Sequence, residues 1–141
     1  MTDREIIERK VDIIEENMAY LRQVAGMDPR TFESSFERVQ ATKHCLQEVV
    51  EACLDIANHI ISAEGFPRAE EYGQFFIILA EKKVISKALA ARLEQMAKFR
   101  NLLVHRYGIV DAGRLHTTLK EDLDDIEGYI KAILKHVSSK G

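Results

Sequence analysis

The chain has few of the residues that interrupt helices, and it has no tryptophan. Its 141 residues include only two prolines and seven glycines, which leaves room for long helices. No apolar run approaches the roughly 18–20 residues that a membrane-spanning helix needs, so we expect no membrane association. The charged start, Asp3-Arg4-Glu5, leads directly into a helical pattern, so we also expect no signal peptide.

Cysteine is scarce as well, with only Cys45 and Cys53 in the chain. Both fall in one predicted helix about 12 Å apart along its axis, so they cannot pair without unwinding it. We interpret them as reduced core residues of a cytoplasmic protein. Apolar residues make up 46% and charged residues 30%, a globular balance that fits a single domain over residues 1–141.

The net charge of −3 is distributed unevenly along the chain. Between Met96 and Lys120 there are five basic residues and one acid, a local charge of +4 that leaves −7 elsewhere. A basic patch on an acidic chain favours a polyanion site over nonspecific coating of nucleic acid, although chance clustering is the alternative. The five basic residues are Lys98, Arg100, Arg106, Arg114 and Lys120.

Helical periodicity covers nearly the whole chain, and no segment has the alternation of a strand. Short loops between long helices imply antiparallel neighbours, so we predict an all-α, up-and-down bundle of four to five helices. The predicted elements are a helix from Thr2 to about Ala25, a second from Pro29 to about Glu64, a third from about Gln74 to Lys82, a fourth capped by Ser86, and a last one that begins at Asp111.

The predicted second helix would be about 50 Å long if it were unbroken. That is long for a compact monomer of this size, and it favours a bundle that shares its length with a second copy, that is, a homodimer. A break near Ser34-Ser35 is the alternative.

Polar chemistry is concentrated in residues 100–107, Arg-Asn-Leu-Leu-Val-His-Arg-Tyr, where the fourth helix should stop. Arginine can hold a phosphate at two points, and histidine moves protons near neutral pH. Arg100 and His105 are about 140° apart around an ideal helix. One cleft can use both only if His105 lies where the helix frays, or if a second subunit completes the site. This predicts phosphate binding or phosphate-ester chemistry at a helix end facing a dimer cleft, with Tyr107 accessible.

The spacing of Arg100, His105 and Tyr107 resembles a known family pattern. Arg-Asn, three apolar residues and His are similar to the Arg-x4-6-His signature of the HEPN superfamily. The extended form Arg-x4-His-x-Tyr resembles its HepT toxin branch. Residues 51–61, Glu-Ala-Cys-Leu-Asp-Ile-Ala-Asn-His-Ile-Ile, resemble the long-helix segment typical of that branch.

The resemblance implies a homodimeric, HEPN-like ribonuclease toxin that works without metal or another cofactor. Arg100 and His105 of both subunits would line one cleft, in which the RNA 2′-hydroxyl attacks the adjacent phosphodiester. His105 would be the general acid or base, and Arg100 would stabilise charge on the phosphoryl oxygens. Asn101 would orient His105 or donate to a phosphate oxygen. Arg106 either tunes RNA contact or is a plain surface residue.

The resemblance also implies a partner protein, a minimal nucleotidyltransferase antitoxin that adenylylates the motif tyrosine, Tyr107. Two other functions stay open. The chain is alternatively a noncatalytic partner or substrate-binding subunit of such a nucleotidyltransferase, or a metal-binding helical bundle.

A polar stripe on the second helix carries the metal alternative. One helix cannot close a coordination sphere, so we favour a solvated or dimer-facing polar surface, with Asp55 and Asn58 as possible supports of the cleft. The acidic segment 121–127 is interpreted as a solvated face or a contact for a basic partner. The members of the stripe are His44, Glu48, Glu51, Asp55 and His59.

Overall fold

The computed structural model describes residues 2–105 and 112–140, without the side chains of 72–73 and 103–105. In this part of the chain every regular element is a helix, which confirms the all-α prediction. The helices are α1 Asp3–Ala25, α2 Pro29–Glu33, α3 Phe36–Ala63, α4 Tyr72–Glu81, α5 Lys87–His105 and α6 Ala112–Lys140. None of the helices searched within the described residues is long and apolar enough to span a membrane.

The first helix begins with the predicted capping box. The Glu5 backbone N–H donates to Thr2 Oγ1 at 3.1 Å, and the Thr2 N–H donates to Glu5 Oε2 at 3.4 Å. These bonds satisfy two backbone donors that a helix start leaves unpaired. The helix ends at Ala25, as the pattern predicted, and its apolar stripe is buried at Ile7, Val11, Ile14, Met18, Leu21 and Val24.

The segment predicted as one second helix forms two helices, α2 and α3, so the described residues contain six helices rather than four or five. The break lies at Ser34-Ser35, the position left open from the sequence. Ser34 Oγ donates to the Thr31 carbonyl at 2.8 Å, and Ser35 Oγ accepts from the Arg38 N–H at 3.2 Å. Such local bonds compete with continuation of the helix. The 28 residues of α3 still span about 42 Å.

Three helices, α3, α4 and α6, meet around the middle of α3. Tyr129 of α6 is fully buried, and its hydroxyl donates to the Cys53 carbonyl at 2.9 Å. Phe76 of α4 packs edge-on against the Tyr129 ring, with centroids 5.6 Å apart. Burial raises the pKa of the Cys53 thiol, which agrees with its interpretation as an inert core residue. α3 is therefore the central element, and the other long helices are placed relative to it.

The acidic segment of α6 is more than a solvated face. Asp125 accepts from Arg92 Nε of α5 at 2.7 Å, and Glu127 accepts from Arg22 of α1 at 2.8 Å. Asp122, which lies one turn before Asp125, is half-buried. Burial, together with the charges of Asp125 and Glu121, raises its pKa to about 7. The segment thus connects α6 to two neighbouring helices at the expense of one desolvated carboxyl group.

Candidate active site

The helix that carries the motif is fixed at its start and along one buried face. Ser86 Oγ accepts from the Leu89 N–H at 3.1 Å, which confirms the predicted cap of α5. Leu93 and Met96 are buried in the core. Arg100 follows them by seven and four residues, so the helical repeat places it on the same face. The sequence therefore directs Arg100 inward, towards α3, rather than to the outer surface.

Arg100 forms a short ion pair with Glu51 of α3. Its Nη2 donates to Glu51 Oε2 at 2.6 Å, and its side chain is only 16% exposed. Its Nη1 donates to Asn101 Oδ1 at 3.2 Å. A largely desolvated guanidinium that is paired with a carboxylate differs from the plain surface arginine that a helix end often carries.

One nitrogen of this guanidinium has no acceptor. Arg100 Nε is buried and has no hydrogen-bond partner among the described residues. Nε and Nη2 form the edge of arginine that binds two oxygens of one phosphate or carboxylate. Glu51 uses only the Nη2 side of this edge. Within the described residues Nε is therefore an unsatisfied buried donor, and such donors are rare in folded proteins.

The other predicted motif residues are described only in part. Asn101 is half-exposed, and its side-chain oxygen already accepts from Arg100, so what remains to it is the amide NH2 group. His105 is the last residue of α5, and only its backbone is described. Arg106 and Tyr107 lie outside the described residues altogether. Their roles stay predictions.

The polar stripe of α3 is a row of separate ion pairs. Asp55 accepts from Lys10 of α1 at 3.0 Å, and His59 Nε2 lies 2.8 Å from Asp3 Oδ1. Among the described residues no three His, Cys, Asp or Glu side chains are grouped so that they could hold a metal ion. Asn58 is exposed and forms no hydrogen bond within that part of the chain. In the described part of the chain no hydrogen bond or ion pair joins Asp55 or Asn58 to Arg100 or Asn101, so their support of the cleft stays a prediction.

Glu51 is the member of the stripe that contacts the motif. Sequence reasoning placed it in the stripe but did not connect it to Arg100. The available signal was its position at the start of residues 51–61, the second stretch of the family resemblance. Two of the five basic residues in the segment 96–120 are paired with acids: Arg100 with Glu51, and Lys98 with Glu94. Charge counted along the chain is thus partly neutralised in space.

The chain is similar to a known protein family over most of its length. A family model for ribonuclease HepT-like proteins matches residues 14–133, which includes α3, α5 and the whole motif. The chain belongs to the HepT-like family.

Two HepT-like relatives illustrate the extent of the match. The mRNA nuclease HepT of Shewanella oneidensis is 30% identical over 129 residues, which cover 92% of this chain and 96% of the relative. The tRNA nuclease HepT of Aphanizomenon flos-aquae is 26% identical over 128 residues, which cover 91% of this chain and 87% of the relative. The similarity therefore extends over nearly the full length of these proteins.

A solved structure has the same HepT-like fold. A tri-AMPylated HEPN toxin of Shewanella oneidensis, in complex with MNT antitoxin, superposes with a TM-score of 0.86 at 30% identity. The match covers 96% of this chain and 99% of that one. The predicted HEPN-like helical bundle is therefore confirmed.

Proposed function

We propose that this chain is the ribonuclease toxin of a toxin–antitoxin pair, and that it cleaves RNA without a metal ion. The observation that carries the proposal is Arg100, which is desolvated, paired with Glu51 and left with a buried Nε donor. A guanidinium in this state, within the motif of a ribonuclease family, is suited to bind a phosphodiester and its developing negative charge.

The reaction follows from the chemistry of RNA. The 2′-oxygen forms a bond to the adjacent phosphorus, and the bond from phosphorus to the 5′-oxygen breaks. The 2′-hydroxyl gives up its proton to a base, and the leaving 5′-oxygen takes one from an acid. His105 supplies proton transfer, Arg100 binds the phosphoryl oxygens, and the Asn101 NH2 group donates to one of them. Because DNA lacks the 2′-hydroxyl, it is not a substrate.

The geometry of α5 supports a cleft shared by two subunits. Its backbone is helical through His105, so positions 100 and 105 are separated by about 140° around the axis. Arg100 faces α3 of its own chain. An active site that uses both residues is therefore proposed to combine them from the two subunits of a homodimer, with Arg106 beside the RNA backbone.

A partner protein is proposed from the similar toxin structure, which is tri-AMPylated and bound to MNT antitoxin. By this likeness, a minimal nucleotidyltransferase would adenylylate Tyr107 of this chain. Each added AMP phosphate carries negative charge next to the motif arginine, and it would compete with RNA for Arg100 and block the cleft.

Purified wild-type protein in excess EDTA should cleave a short RNA and leave 2′,3′-cyclic phosphate and 5′-hydroxyl ends. These ends result from 2′-hydroxyl attack, and chelation has no effect if no metal takes part. Gel analysis measures the extent of cleavage, and treatment with end-specific enzymes identifies the two ends. The all-DNA version of the same oligonucleotide is the matched control and should stay intact. Loss of cleavage in EDTA with recovery in Mg²⁺ would contradict the metal-free part, and absence of any cleavage would favour a noncatalytic partner.

Co-expression with the cognate nucleotidyltransferase should add AMP to Tyr107, in steps of one AMP mass. Intact-mass spectrometry and peptide mapping measure the addition, and Tyr107→Phe should abolish it completely because the acceptor hydroxyl is missing. Tyr129→Phe is the matched control, since Tyr129 is buried and its hydroxyl is bonded to the Cys53 carbonyl. AMP addition that persists in Tyr107→Phe would disprove the assignment of this tyrosine.

A further inference from the structure

A cavity of about 540 Å³ lies between α4 and α5, directly beside the motif. Its α5 wall is one stripe of residues at helical spacing, which ends at Asn101. Asn101 therefore borders both the cavity and Arg100, to which its side-chain oxygen is bonded. The cavity is lined by Glu70, Glu71, Gln74, Phe75, Glu94, Ala97, Lys98 and Asn101.

We infer that this cavity binds an unstacked RNA base with an exocyclic amino group, next to the phosphate held by Arg100; this rests on the proposed ribonuclease function. Sequence-selective RNA recognition acts mostly on bases that are splayed out of a stack and bonded along their edges. An enzyme that holds the phosphate at Arg100 meets the flanking base one residue away, at Asn101.

The charge of the cavity favours a base over a phosphate as its ligand. Its lining includes three carboxylates and one ammonium group, a formal charge of −2. Lys98 Nζ lies 3.4 Å from Glu94 Oε1, so the single ammonium group is partly neutralised by a carboxylate of the same lining. A phosphate is repelled from such a lining, whereas an amino group of a neutral base can donate to a carboxylate. Adenine, cytosine and guanine have an exocyclic amino group, and uracil has none.

The two amides in the lining are oriented by bonds to their oxygens. Gln74 Oε1 accepts from the backbone N–H groups of Glu70 at 3.0 Å and Glu71 at 3.4 Å. The Asn101 oxygen accepts from Arg100. The NH2 groups of both amides are therefore the ends that can donate to a base, and the two hydrogens of the Asn101 NH2 group allow it to bind the base and the phosphate together. Phe75 adds a half-buried aromatic ring to the wall, and aromatic side chains are the usual surfaces on which unstacked bases pack.

A basic side chain of a protein partner would also be attracted by the carboxylates. The lining favours the base, because an arginine or lysine has no use for the two NH2 donors, which would repel its own donors. An RNA chain whose phosphate is bound at Arg100 also brings a base to this position, whereas a peptide has no reason to bind beside that arginine. Binding of a protein partner is therefore the competing outcome of the test.

The test compares two sets of four short RNAs. In one set only the nucleotide 5′ to the cut differs (A, C, G or U), and in the other set only the nucleotide 3′ to it differs. The wild type should cleave the three amino-bearing variants about tenfold faster than the U variant at one of these positions, the effect of one well-made base contact. Glu70→Ala with Glu94→Ala removes two carboxylate acceptors and should bring the four rates within about threefold of each other. Glu81→Ala, which removes an exposed acid of α4 outside the lining, should keep the wild-type preference.

The outcomes separate this inference from the proposed function. If the wild type cleaves none of the RNAs, the ribonuclease proposal itself fails. If it cleaves all four at equal rates, or if the double variant keeps the full preference, the base site is disproved. A double variant that loses binding to the nucleotidyltransferase but keeps its base preference would assign the cavity to a protein partner instead. Equal thermal unfolding midpoints of the variants would establish that folding is not the cause.

Discussion

Replacing His105 by alanine should lower the rate of RNA cleavage by about 10²–10⁴-fold, the range that general acid–base catalysis contributes. The proposed role of His105 is to move the proton of the attacking 2′-hydroxyl or of the leaving 5′-oxygen, and alanine can do neither. The rate constant of single-turnover cleavage, with protein in excess over RNA, measures the chemical step directly.

His44→Ala is the matched control for this substitution. His44 is an exposed histidine of α3, 4.0 Å from Glu48 and away from the motif, so its loss should leave the rate unchanged. The wild-type rate should also depend on pH between about 5 and 8, where histidine changes its charge, and that dependence should weaken in His105→Ala. An alanine variant with the wild-type rate and pH profile would remove His105 from the reaction.

Replacing Arg100 by alanine should lower cleavage by about 10²–10³-fold, the effect of losing one donor to a developing oxyanion. Arg100→Lys should recover little of this, because lysine keeps the charge but not the two-nitrogen edge that binds a phosphate. The alanine change also leaves the Glu51 carboxylate without its partner next to the RNA backbone. Both effects act in the same direction, and cleavage assays under single-turnover conditions measure their sum.

Arg92→Ala is the control for Arg100. Arg92 also belongs to α5 and pairs with a carboxylate, Asp125, at 2.7 Å, but it faces α6 and not the motif. Its loss should weaken an interhelical ion pair between a half-exposed arginine and a largely buried carboxylate. Because neither side chain belongs to the motif, the cleavage rate should stay within about twofold of the wild type. Equal losses in the two variants would mean that Arg100 acts through stability rather than through phosphate binding.

Most of the helices could be predicted from the sequence because their signals are local. The capping box of Thr2 and Glu5, the cap at Ser86 and the stripe of α1 involve residues no more than one or two turns apart. The break at Ser34-Ser35 was only an open alternative, since a pair of serines is compatible with either outcome until the flanking helices have packed. In the folded chain Phe32 of α2 stacks on His116 of α6, with ring centroids 4.6 Å apart, so packing against α6 adds to the local bonds of the serines.

The sequence by itself determined that this chain is a helical HepT-like protein with an arginine, an amide and a histidine at the end of α5. Only the tertiary structure decided what surrounds the arginine. Its partner Glu51 lies 49 residues away on α3, and the cavity at Asn101 is closed by residues from the start of α4. The physical reason is the distance along the chain over which each interaction acts. Helix periodicity and caps depend on neighbours within a few residues, whereas the desolvation and pairing of Arg100 depend on how three helices pack.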